Sequence, residues 1–137
     1  VRPFNYTGIG QSNDFLIPKI VSHFKKNAKT IQLGNVEVSR EFNDIGFVCE
    51  VYKRLIESEV KSKILNIASG RGVQLLSIIE HMNQIANYEI QISINKRFVR
   101  SNEIHNLVGS CDLLFKLIGQ IEQKDIGLTL RDMYDAY

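Results

Sequence analysis

Hydrophobic residues recur every three or four positions in five segments of the chain, which is the spacing of an amphipathic helix. The predicted helices cover residues 17–24, 48–56, 75–82, 111–118 and 128–137. Ser12 and Asp14 are candidate start signals for the first helix, and Asp44 is the candidate cap of the second. The apolar stripe of the second helix includes Tyr52 and Ile56, which we therefore expect to be packed against the rest of the protein.

Short runs between these helices have the composition and alternation of strands. The predicted strands cover residues 1–4, 30–33, 37–42, 64–68 and 89–94. Gly34 and Asn35 form a turn pair between the second and the third of them. Helices and a few strands thus alternate along the chain, which indicates an α/β fold.

The composition is that of one ordinary globular domain of 137 residues, with 44% hydrophobic and 23% charged positions. The formal net charge of +2 is too small to favour nucleic acid as a partner. No apolar run reaches the roughly 18 residues of a membrane span, and no secretory leader is recognisable, so we expect a cytoplasmic protein without a membrane partner. Cys49 and Cys111 are far apart, so we expect two buried thiols without a disulfide or a metal site.

The residue pattern alone completes no catalytic motif. The histidines are scattered, and the glycine pairs of GIG and GRG complete neither a dinucleotide-binding loop nor a P-loop. Lys19 lies early in the first predicted helix, Arg40 near the end of a predicted strand and Arg100 in the segment KRFVRSNE. Converging cations would suit a diphosphate, because one arginine can bond two of its oxygens. Ordinary surface charge is the alternative, and isolated cations favour it.

Several longer stretches, taken together and in order, resemble one known family. They read VRPFNYTGIGQSNDFLIPKIV, IQLGNVEVSREFNDIGFV, ILNIASGRGVQLLSII and LVGSCDLLFKLIGQ. They resemble the C-terminal half of the extended short-chain dehydrogenases that act on nucleotide sugars, above all the GDP-6-deoxy-mannose reductases and GDP-mannose 4,6-dehydratases. The resemblance implies that residues 1–137 supply the last strands of the central parallel sheet of a Rossmann-type fold and a small mixed α/β substrate-binding domain. The N-terminal dinucleotide-binding portion would be absent.

The resemblance also implies a site that holds a nucleoside diphosphate sugar beside the nicotinamide of NAD or NADP. Pro3 and Phe4 would border the nicotinamide ring, and Asn5 would donate to the diphosphate. The other implied substrate-binding residues are Leu16, Ile17 and Lys19 over the nucleotide, Leu33, Gly34 and Asn35 beside the base, Arg40 and Arg100 on phosphate or ribose, and Glu103 on the ribose hydroxyls. Leu16, Ile17 and Leu33 could equally belong to the core, and Gly34 could serve a turn only.

The catalytic residues of the resembled family have no counterpart in this sequence. No tyrosine has a lysine four positions later, and no glycine-rich dinucleotide loop is present. We therefore expect no catalytic residue, metal or cofactor in this chain alone. The expected function is the substrate-binding portion of an NAD(P)-dependent nucleotide-sugar reductase, dehydratase or epimerase, with GDP preferred over UDP and dTDP. The alternative is a non-catalytic remnant that serves as a binding or oligomerisation module, and we expect a homo-oligomer.

Overall fold

A computed structural model of the chain describes residues 1–99 and 102–136. The helices are α1 (Leu16–Lys25), α2 (Ile45–Glu57), α3 (Leu75–Ala86), α4 (Asp112–Ile118) and α5 (Ile126–Ala136). The strands are β1 (Arg2–Pro3), β2 (Tyr6–Thr7), β3 (Thr30–Leu33), β4 (Ser39–Arg40), β5 (Asn43–Asp44), β6 (Asn66–Ile67), β7 (Val73–Gln74), β8 (Gln91–Ile94) and β9 (Asn106–Leu107). A 3-10 helix, Lys96–Phe98, lies between β8 and β9. No helix in the described ranges is long and apolar enough to cross a membrane.

Most of the strand pairs are parallel. β1 pairs with β6, β2 with β5 and β3 with β8, all in parallel. β4 lies between β7, which is antiparallel to it, and β9, which is parallel. Parallel partners need long connections, and helices lie in the connections between these partners. The predicted α/β fold with parallel strands is confirmed.

Two hydrophobic cores stabilise this arrangement. The larger core lies among α1, α3, α5, β3 and β8, where Phe24, Ile78 and Met82 are fully buried. The smaller core lies among α2, α4 and β6, around the fully buried Val51 and Ile67. The short sheet β7–β4–β9 joins segments that come from both halves of the chain.

The first two helices begin in different ways. α1 begins at Leu16 without a side-chain cap. Ser12 donates from Oγ to Asp14 Oδ2 over 2.8 Å within the preceding turn, so neither predicted start residue caps the helix. The predicted cap of α2 is confirmed, because Asp44 Oδ1 accepts a hydrogen bond of 2.7 Å from the main-chain N of Gly46.

The strands on either side of Gly34 do not pair with each other. β3 pairs with β8, and the predicted strand over residues 37–42 shortens to β4, whose partners are β7 and β9. A Cβ atom on Gly34 would lie 2.5 Å from the carbonyl oxygen of Phe98, so the segment after β3 runs against the 3-10 helix. Contacts between distant segments therefore decide the strand pairing here.

α2 buries a narrower face than its sequence predicts. Tyr52 is 42% exposed and Ile56 is 82% exposed, so the prediction that both are packed is wrong. Together with the exposed Ile45 and Cys49 they follow the spacing of one helix face, and we call these four residues the α2 stripe. The prediction of a buried thiol is wrong at Cys49, which is exposed, and holds only in part at Cys111, which is half-buried.

Candidate functional site

Arg40 and Glu103, both predicted from the resemblance to contact substrate, form an ion pair. Arg40 Nη2 lies 2.6 Å from Glu103 Oε1, and the two side chains are only 15% and 17% exposed. Arg40 Nη1 donates to the carbonyl oxygens of Ser39, over 2.9 Å, and His105, over 3.4 Å. One carboxylate and two carbonyls thus hold the guanidinium in a single orientation.

Lys19 brings α1 to the segment around the 3-10 helix. Its Nζ donates to the carbonyl oxygen of Gln32 over 2.9 Å and lies 4.8 Å from the centroid of the Phe98 ring. Gly34 packs against the main chain of Phe98, where a side chain would not fit. Lys19 and Gly34 therefore both contact Phe98, so the two residues lie close together.

Asn35 shapes the turn that leads towards β4. Its Oδ1 accepts a hydrogen bond of 2.9 Å from the main-chain N of Glu37. This is the local hydrogen bond that asparagine typically makes in turns. The side-chain oxygen of Asn35 therefore already has a protein partner.

The three apolar candidates belong at least partly to the larger core. Ile17 and Leu33 are each only 2% exposed, and Leu16 is half-buried against the same core. The structure thus supports, for Ile17 and Leu33, the core role that the sequence left open. Leu16 is the most exposed of the three and is the one that a ligand could contact.

Pro3, Phe4 and Asn5 follow one another at the end of β1 and differ in burial. Pro3 and the side chain of Asn5 are exposed. The ring of the half-buried Phe4 packs on Gly109, because a Cβ atom there would lie 2.7 Å from two of its ring atoms. The carbonyl oxygen of Asn5 accepts from the main-chain N of Asn43 over 2.9 Å and from its Nδ2 over 3.1 Å. The main chain at Asn5 is therefore fixed, while its amide group lies at the surface.

Sequence reasoning missed a buried carboxylate next to Arg40. Glu41 is 0% exposed and accepts hydrogen bonds from Gly70 N, Gly109 N, Ser69 N and Asn43 Nδ2. The only signal in the sequence is a charged residue inside a run of predicted strand, which is not specific. Arg100, in contrast, was predicted but lies outside the described residues.

A second polar cluster connects α5 to the start of α2. Asp44 Oδ2 accepts from Thr129 Oγ1 over 2.9 Å and lies 3.9 Å from Lys124 Nζ. Lys124 also pairs with Asp132, and this hydrogen bond is the main cause that raises the pKa of Lys124 above its ordinary value. A cavity of about 90 Å³ lies beside these residues and is also lined by Arg71.

The parallel strand pairs and the helices between them form part of a Rossmann-type α/β fold. No protein-family model matches the chain. The chain is similar to GDP-6-deoxy-D-talose 4-dehydrogenase from Aggregatibacter actinomycetemcomitans, with 36% identity over 135 residues, which cover 98% of this chain and 46% of the relative. It also superposes on a candidate epimerase from Burkholderia cenocepacia J2315, with a TM-score of 0.96, 43% identity and coverage of 98% and 45%. For RMD from Pseudomonas aeruginosa, solved with NADPH, the TM-score is 0.87, the identity 28% and the coverage 98% and 45%.

The chain spans less than half the length of the curated relatives that it matches, which are named as enzymes of GDP-6-deoxy sugars. These similarities confirm the resemblance that the motifs predicted. The chain is similar to proteins named as enzymes of GDP-6-deoxy sugars, and its fold corresponds to a little under half of the solved structures that it matches.

Proposed function

We propose that the chain binds the nucleoside diphosphate of a nucleotide sugar, with GDP preferred over UDP and dTDP. The observation that carries the proposal is the Arg40–Glu103 pair, in which both side chains are largely buried and fixed. A guanidinium held in this way offers its remaining donors as a planar fork for phosphate oxygens, and a carboxylate can accept from ribose hydroxyls. The preference for GDP rests on the similarity to a dehydrogenase of a GDP-6-deoxy sugar.

Other predicted residues support the same ligand. Burial of a diphosphate against protein is costly unless cations and donors compensate its charge. Lys19 supplies a second positive charge, and the exposed amide of Asn5 supplies a donor. Arg100 would be the second arginine of this grip, while Leu16 and Asn35 would lie beside the base.

In the intact enzyme, this binding would serve an NAD- or NADP-dependent reductase, dehydratase or epimerase. RMD, which has a similar fold, was solved with NADPH. The cofactor would supply or accept the hydride, and Pro3 and Phe4 of this chain would border its nicotinamide ring. The chain itself would bind and orient the sugar nucleotide, since it lacks the Tyr-x3-Lys pair. Its partner would be an N-terminal dinucleotide-binding portion, and its compartment the cytoplasm.

Calorimetric titration of the folded chain with GDP, UDP and dTDP tests this proposal. GDP is expected to bind more tightly than the other two nucleotides. Arg40→Ala is expected to weaken GDP binding about tenfold or more, because a hydrogen bond to a charged group contributes roughly 1.5–3 kcal/mol. The matched control is Arg131→Ala, which removes an exposed arginine of α5 and should leave the affinity unchanged.

Two results would contradict the proposal. One is a wild-type chain that is folded by circular dichroism but binds none of the three nucleotides. The other is an equal loss of affinity in the Arg40 and Arg131 variants, which would indicate a diffuse effect of charge and no specific contact.

An oligomerisation module is the second candidate function, and the α2 stripe favours it. Its four exposed residues are apolar or weakly polar and form a continuous helix face. Exposed apolar faces of this kind are typical of surfaces that bind another protein surface. A second copy of the chain would cover the stripe in a symmetric pair.

A further inference from the structure

Glu41 is the most completely buried charged side chain in the described part of the molecule, with 0% exposure. Its Oε1 accepts from Gly70 N over 2.8 Å and from Gly109 N over 3.1 Å. Its Oε2 accepts from Ser69 N and from Asn43 Nδ2, each over 3.3 Å. None of these four donors is a cation, although burial of a carboxylate is costly and is usually compensated by a positive charge.

The donors of Glu41 lead directly to the residues proposed to contact ligand. Asn43 Nδ2, which donates to Glu41, also donates to the carbonyl oxygen of Asn5. Gly109, whose main-chain N donates to Glu41, packs against the ring of Phe4. Arg40 precedes Glu41 in the chain, so its main chain is fixed at the same point.

The main chain around Glu41 reinforces these links. Glu41 N donates to the carbonyl oxygen of Leu107, and Asn43 N donates to that of Asn5. The carboxylate thus lies where the end of β4, the end of β1, the loop after β6 and the segment after β9 meet. Any change in its length or acceptor capacity must alter at least one of these four connections.

We propose that Glu41 is a positioning residue that sets the placement of Phe4 and Asn5 relative to Arg40. The proposal rests on the proposed function, in which Asn5 and Arg40 bind the sugar nucleotide and Phe4 borders the nicotinamide ring. Glu41 contacts neither ligand nor cofactor in this scheme and acts through Asn43 and Gly109. A carboxylate is suited to the role because both of its oxygens accept, so that it holds four donors at once.

Glu41→Gln tests the proposal with little change in shape. The glutamine side chain has one accepting oxygen, and its NH2 group would face two of the four donors in either orientation. GDP affinity is measured by calorimetry well below the thermal midpoint of the variant, so that only folded protein contributes. Main-chain amide shifts at Phe4, Asn5 and Arg40 are measured by NMR without nucleotide. Glu59→Gln is the matched control, since the Glu59 side chain is 99% exposed.

The proposal expects Glu41→Gln to bind GDP about tenfold more weakly while Glu59→Gln binds like the wild type, which corresponds to the loss of about one charged hydrogen bond. Unchanged affinity in folded Glu41→Gln would overturn it, because a merely structural carboxylate lowers the thermal midpoint alone. If Glu41→Gln does not fold, Glu41→Asp replaces it with the same two readouts, since aspartate keeps both oxygens and shortens their reach.

The amide shifts, measured without nucleotide, test the role of Glu41 independently of the proposed function. If the folded wild type binds no nucleotide, the proposed function fails, and the shifts alone decide the role of Glu41. Changes that extend to Phe4 and Asn5 would support positioning, whereas Arg40 adjoins the substituted residue and its shift changes in either case. Changes confined to the chain neighbours of Glu41 and to its donors Ser69, Gly70 and Gly109 would overturn it.

Discussion

Gly34 lies where the main chains of two segments come closest together beside the proposed site. A Cβ atom at this position would lie 2.5 Å from the carbonyl oxygen and 2.9 Å from the carbonyl carbon of Phe98. These are main-chain atoms, so a methyl group can be accommodated only if one segment moves. Glycine is therefore required here by close approach, whatever its role in a ligand site.

Gly34→Ala is expected to destabilise the chain by about 1–3 kcal/mol, because overpacking forces backbone shifts of this cost. The free energy of unfolding from urea titrations measures the effect. Gly127→Ala in α5 is the control, since the atoms nearest to its new methyl group belong to the side chains of Asp125 and His81 and not to the main chain, and alanine favours helix. Equal stability of the two variants would show that the Phe98 segment yields without cost.

α2 leaves uncovered a face that its sequence predicts to be packed. The periodicity of residues 48–56 predicts a broad apolar stripe, but the smaller core covers only one side of it. The charged neighbours Glu50 and Arg54 pair with each other over 2.8 Å on the same helix. The α2 stripe therefore offers apolar surface next to charges that are already satisfied.

We expect the chain to self-associate through the α2 stripe, because burial of its exposed apolar side chains is favourable. Sedimentation velocity over a dilution series is expected to show a shift from dimer to monomer. Ile56→Lys should abolish the dimer, whereas Ile64→Lys, at an exposed isoleucine outside the stripe, should not. A wild-type chain that is monomeric throughout, or an equal effect of both substitutions, would exclude the stripe as the interface.

The helices were predictable from the sequence because their signal is local. The period of Ile17, Ile20 and Phe24 and the capping residue Asp44 each report on neighbouring residues only. The two-residue strands β2 and β5 carry no period of their own and exist because they pair across distant segments. Sequence reasoning could not find them for that reason.

The candidate site shows the same limit. Arg40 and Glu103 were found through the motifs of related enzymes, and their pairing across 63 positions is visible only in the structure. Glu41 was missed because its donors come from residues 28, 29 and 68 positions away as well as from nearby Asn43. Burial of a charged side chain is decided by such distant donors, and composition does not reveal them.

The whole molecule depends on links between its two cores. The larger core includes α5, and the smaller core includes α2. Asp44 joins them, because it caps α2 through Gly46 N and accepts from Thr129 of α5, with Lys124 nearby. The Glu41 connections join β6 of the smaller core to β4. The proposed site lies along these links, so its geometry depends on how the two cores are held together.

Asp44→Ala is expected to lower the free energy of unfolding by about 1–3 kcal/mol, since it removes both the cap and the bond to Thr129. Asp44→Asn keeps the cap, because asparagine caps a helix about as well through its single amide oxygen. Its Nδ2 cannot accept, so the contact with Thr129 Oγ1 persists only if Nδ2 donates to the hydroxyl oxygen. Urea unfolding measures the free energy of unfolding of both variants. Circular dichroism monitors the helices, and the NMR signals of Met82 and Val51 monitor the larger and the smaller core. If Asp44 couples the cores, the signals of Met82 and Val51 should show different urea midpoints in Asp44→Ala. In the wild type and in Asp44→Asn the two midpoints should coincide. Coincident signals in all three proteins would instead mean that the Glu41 connections are sufficient to keep the two cores in one cooperative unit.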